Sequence, residues 1–110
     1  MHISHWLVKT SSTATMLDTQ AQAIFDKNIS MMVPWYIMAS YAYYVEDNPI
    51  FSDSFFDNMS TVMLDDWMNI HHFHKHYLSI DTLTAGTFIG DYPSRVQGGL
   101  ASLRDKYGQR

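Results

Sequence analysis

Asp53, Phe56 and Asp57 lie within five residues of one another, and Tyr43-Tyr44 precede them across an Asp47-Asn48-Pro49 turn. On a helix, Asp53 and Asp57 are four apart, so their carboxylates share a face with the Phe56 ring beside it. Two carboxylates and an aromatic ring on one turn, facing a helix end with two tyrosines, have the chemistry to hold a flat cationic ring and a ribose. Ordinary helix chemistry also fits these residues. Carboxylates in a first turn favour the helix dipole, Asp53 is a good cap, and Phe56 is a good core residue.

The run His71-His72-Phe73-His74-Lys75-His76 is the second chemistry-bearing stretch. If it is helical, His72 and His76 share a face at a spacing that chelates zinc or nickel. A lasting site needs a third ligand, and neither a His-Glu-x-x-His motif nor a cysteine pair supplies one. Imidazoles meeting the negative end of a helix are the simpler expectation.

The elements that must position these groups are helical. Residues 1–14 are polar and aperiodic and read as an arm, with residues 15–110 as one helical domain. Thr15 is a candidate N-cap for a helix carrying Leu17, Ala21, Ile24 and Phe25, which Asn28 ends. Pro34 suits the first turn of the next helix. Residues 34–46 are apolar nearly all round, which predicts the most buried helix. Asp-Asn-Pro is turn chemistry, and Ser52 or Asp53 caps the helix after it. Phe56, Met59, Met63, Trp67 and Ile70 then step by 3, 4, 4 and 3, predicting one amphipathic helix over 53–78 with Trp67 and Met63 in the core. Residues 79–93 read as a loop. Ser94 caps a last helix with Val96, Leu100, Leu103 and Tyr107 on one face, and Gly108 lies past its end. The predicted fold class is all-α: about four helices built on an antiparallel pair, 34–46 against 53–78.

Composition narrows the function. The chain has 110 residues, a net charge of −4, 46% hydrophobic residues and no cysteine, which suits one domain without disulfides or thiolate chemistry. Residues 46–66 hold six acids and no Lys or Arg, so this face repels phosphate and direct nucleic-acid binding is not expected. No signal peptide or membrane span is read from the sequence, and a cytoplasmic location is expected. Seven tyrosines and eight methionines leave material for a contact surface.

The pattern around residues 43–57 resembles the N-terminal nicotinamide mononucleotide-recognition domain of NAD-dependent DNA ligases. That family has a helix ending in Tyr-Tyr/His, an Asp-x-Pro turn, and Ser/Pro-Asp-x-x-Tyr-Asp opening a helix. Tyr43, Asp47, Pro49, Asp53 and Asp57 match it, while Tyr44 stands in place of the usual histidine and Phe56 in place of tyrosine. The resemblance implies a site made of Tyr43, Tyr44, Asp53, Phe56 and Asp57 for NAD or its mononucleotide half. It also implies a likeness to small ligase-related proteins of bacteriophages. The nucleotidyl-transfer motif Lys-x-Asp-Gly is not in this sequence, so the chain is not expected to ligate DNA alone and would need a separate ligase domain or another protein partner. The alternative is a helical protein-interaction module with no small ligand.

Overall fold

The computed structural model describes residues 16–108. Among these residues there are five α-helices, α1 (Asp18–Lys27), α2 (Met32–Tyr44), α3 (Asp53–Asp65), α4 (Ile80–Ala85) and α5 (Ser94–Lys106), with short 3-10 turns at Ile29–Met31, Trp67–Asn69 and Lys75–Tyr77. No strand occurs among the described residues, so the fold is all-α. None of the described helices is long and apolar enough to cross a membrane. The arm and the Thr15 cap lie outside the described residues.

Helix α2 is the central element, as its uniform hydrophobicity requires. Ten of its 13 residues are buried, including Val33, Tyr36, Ile37 and Ala42. Its partner α3 runs antiparallel to it. Tyr43, late in α2, meets Asp53, early in α3, whereas Tyr36, one helical stretch earlier, receives a 3.0 Å hydrogen bond from Ser60 further along. Helix α5 packs on α2, with Val96 and Leu100 buried, and α4 packs on α3, with Leu83 buried. An aromatic group ties α1, α2 and the start of α3 together: Phe25 meets Trp35 edge-on, Trp35 stacks on Phe51, and Phe25 stacks on Phe55.

Three expectations are corrected. The helix expected over 53–78 ends at Asp65. Two consecutive aspartates, Asp65 and Asp66, place negative charge where the dipole is already negative. Asn69 then bonds back to Asp66 at 2.7 Å instead of continuing the helix. The apolar stripe survives because the following 3-10 turn keeps Ile70 fully buried, but Trp67 is half-buried rather than core. Its ring lies under the Lys75 ammonium, 4.4 Å from the centroid.

The loop expected over 79–93 contains α4. Ser79 caps it by accepting the Thr82 N–H at 3.0 Å, and Gly86 ends it at φ 73°, the left-handed conformation that glycine adopts without strain. Finally, α5 starts at Ser94, but Pro93 is its N-cap and the Ser94 hydroxyl caps nothing. The other end of α5 is as expected, with Gly108 at φ 65° past its end.

Candidate ligand-binding site

The turn between α2 and α3 is fixed from three directions. Locally, the Tyr41 carbonyl accepts the N–H groups of Val45 and Glu46, and Ala42 accepts that of Asn48. Asp47 takes up the reversal at φ 53°, a region that Asp tolerates better than most side chains. From α5, the buried Arg104 donates its Nε–H to Glu46 Oε1 at 2.9 Å and a second guanidinium N–H to the Asn48 carbonyl. From α1, the Asp18 carboxylate accepts the Ser52 N–H at 3.0 Å and the Ser52 hydroxyl at 2.6 Å. The same Ser52 oxygen accepts the Phe55 N–H at 3.2 Å, so Ser52, rather than Asp53, caps α3.

This frame places the expected acidic residues within electrostatic reach of one phenol. Burial pushes the Tyr43 hydroxyl up to about 12, and the carboxylates of Asp53, Asp47 and Asp57 push in the same direction. Tyr44 is raised as well, first by burial, then by the neighbouring tyrosines and Asp57. Its ring meets that of Tyr43 edge-on at 4.8 Å. Asp53 and Asp57 are half-buried. Tyr43, Tyr44, Asp53 and Asp57 therefore form one acidic, aromatic corner at the α2–α3 junction.

Phe56 is placed differently. It is buried and stacked on Tyr36, with centroids 4.6 Å apart and planes 6° from parallel. That stack takes up one face of the Phe56 ring. The space left among Tyr43, Asp53, Phe56, Pro49 and Phe51 is about 10 Å³, the scale of a single water.

Open volume lies one helical turn on. A groove of about 470 Å³ runs between α3 and α4, lined by Asp57, Ser60, Thr61 and Leu64 on one side and by Leu83 to Thr87 on the other. That size suits a small-molecule site. Its polar lining is one carboxylate and several hydroxyl groups, chemistry suited to sugar hydroxyls and to cations. Sequence spacing alone does not single out these threonines, because their wall depends on α4. Ser79 and Gly86, the cap and stop of that helix, were the signals for it.

The histidine run does not form the expected helical pair. Residues 70–74 are not helical and only Lys75–Tyr77 makes a 3-10 turn, so His72 and His76 share no helical face. His72 instead accepts the His74 N–H on its Nδ1 at 3.0 Å, and the two imidazoles lie 5.4 Å apart. Among the described residues no group of three His, Cys, Asp or Glu side chains converges as a metal site would. Compared with protein-family models, with curated proteins and with solved structures, the chain matches none.

Proposed function

We propose that this chain is a non-catalytic binding module, similar to the nicotinamide-recognition domain of NAD-dependent DNA ligases, whose acidic corner and adjoining groove take the nicotinamide mononucleotide half of NAD. One observation carries the reading: Asp53, Asp47 and Asp57 all act electrostatically on Tyr43, and Asp57 also lines the open groove. The oxidised nicotinamide ring is a cation and is attracted to that potential. Ribose hydroxyls donate to Asp57 and to the oxygens of Thr61 and Thr84, whose own protons go to the Asp57 and Ile80 carbonyls. The phosphate points outward, because residues 46–66 contain no Lys or Arg to receive it. Phe56, held by Tyr36, supports the corner rather than stacking on the ring. A groove open on one side is completed by a second domain, which makes a separate ligase domain the natural partner.

Titration with nicotinamide mononucleotide, followed by amide chemical shifts, tests this. Saturable shifts at Asp57, Thr61 and Thr84 to Thr87 are expected. Asp57→Asn should weaken binding at least about fivefold while changing stability by less than about 0.5 kcal/mol, since Asp57 lies past the capping position. Absence of saturation at millimolar ligand rejects the nucleotide reading. It would favour a protein-docking module, for which the exposed Val45, Met68, Phe73, Ile80 and Ile89 supply apolar contact area.

A further inference from the structure

A second concavity, on residues the acidic corner and its groove do not use, lies where the start of α2, the histidine turn and the first half of α5 meet. Its volume is about 220 Å³, and its walls are mostly apolar: Met31, Pro34, Met38 and Val96, with the rings of His72 to His74 along one edge. The turn is anchored by the His71 N–H, which donates to Ser30 Oγ at 2.9 Å. The further bond from His74 N–H to His72 Nδ1 curls the chain tightly, and Phe73 is thrown outward.

Three groups around this hollow have unmet requirements. Phe73 is 62% exposed although it borders an apolar hollow. Arg95 lies over the Phe73 ring, 5.6 Å from its centroid, and no carboxylate pairs with it among the described residues. His74 forms part of the wall, is 8% exposed, and its Nδ1 is buried with no hydrogen-bond partner in the protein. A buried polar atom without a partner carries a desolvation cost. The start of α5, where Arg95 sits, adds the unpaired N–H groups of a helix N-terminus, which favour an anion.

We propose that this notch binds a small aromatic monocarboxylate, with its ring against Pro34, Met38 and Phe73 and its carboxylate on Arg95. The apolar floor has the methionine thioethers and flat rings that favour an aromatic face. The volume is below that of sites for drug-sized ligands and suits one ring with a short acid arm. One guanidinium, able to bind a carboxylate through two parallel N–H groups, matches a single negative charge. The neighbouring imidazoles do not add to it: burial lowers His72 and His74, and His72, His76 and Arg95 lower His74 further.

Phenylacetate titrated into the full chain, read by amide shifts, is the test, with benzylamine and acetate as controls. Saturable shifts at residues 72–74 and 95–99 with phenylacetate alone are expected. Arg95→Gln should weaken phenylacetate binding about tenfold or more, and Phe73→Ala should weaken it less. Both residues are exposed, so neither change threatens the fold. Benzylamine binding as tightly as phenylacetate, unchanged binding by Arg95→Gln, or shifts that never saturate would each overturn the proposal.

Discussion

The turn after α2 and the turn after α3 begin from similar material and end differently. Each follows a helix and combines aromatic rings with titratable groups. In the first, residues far away in sequence supply fixed partners: Arg104 reaches Glu46 and Asn48, and Asp18 reaches Ser52. The interior of that turn closes to about 10 Å³. In the second, Ser30 and Trp67 hold the ends through bonds to the His71 N–H and from the Lys75 ammonium, while the middle has only local bonds. That middle leaves a hollow of about 220 Å³ and a histidine nitrogen without a partner. A dense run of reactive side chains does not make a cavity. Whether distant residues fill the space decides it.

The strongest way to break this contrast is to hollow out the closed turn. Phe56→Ala removes the stack on Tyr36 and should cost roughly 3–5 kcal/mol in urea unfolding, as large-to-small core changes do. A loss under about 1 kcal/mol would mean that the corner can already open. Arg104→Ala comes next, at about 2 kcal/mol, because it leaves the Asn48 carbonyl without its donor. Glu46 is partly exposed and rehydrates, which keeps the loss below that of a fully buried pair. Arg104→Lys should recover little, since one ammonium cannot reproduce a planar fork aimed at two acceptors. On the second turn, Trp67→Ala should cost only about 1–2 kcal/mol, less than Met63→Ala at roughly 2–5 kcal/mol, because Trp67 is half-buried and Met63 fully buried. Equal losses would show that the chain past Asp65 is as firmly packed as α3.

The remaining effects concern pH, where the two turns should fail at opposite ends. Tyr43 is raised, so the unfolded chain releases its proton first. Its contribution is complete below the ordinary tyrosine value near 10 and drains as pH climbs to about 12. His74 is lowered, so the unfolded chain binds a proton first. Its contribution is complete above the ordinary histidine value near 6.5 and drains as pH falls. In urea midpoints measured across pH, Tyr43→Phe should flatten the alkaline limb and His74→Leu the acid limb. His72 and the other raised tyrosines leave a residual slope in each.

The first turn was legible in the sequence because its signals are local. Asp-Asn-Pro forces the reversal, Ser52 caps, and the uniform hydrophobicity of residues 34–44 marks the central helix. The end of α3 was not legible from periodicity. A 3-10 turn advances at nearly the helical rate, so Trp67 and Ile70 stay on the stripe after α-helical bonding has stopped. The charge of Asp65-Asp66 was the better sign. Within the acidic corner, residue type and spacing brought Tyr43, Asp53 and Asp57 together. They could not reveal that Phe56 spends its face on Tyr36, because both are ordinary aromatic positions until two helices pair. Arg104 carried no local signal. It is one basic residue in a polar helix, and its partners lie 56 and 58 positions away.

The pair of hydrogen bonds that Ser52 donates to Asp18 orders events in time. It joins positions 34 apart, and the Leu17 N–H closes the same loop onto the Ile50 carbonyl. Ring closure of that length has no enthalpic return until the receiving turn exists, so this contact is expected to close only after α2 and α3 have paired. Stabilisation that arrives late acts on the rate of escape rather than the rate of arrival. Asp18→Ala should therefore steepen loss of the native state in stopped-flow unfolding and leave the refolding rate nearly unchanged, making this carboxylate a latch on lifetime.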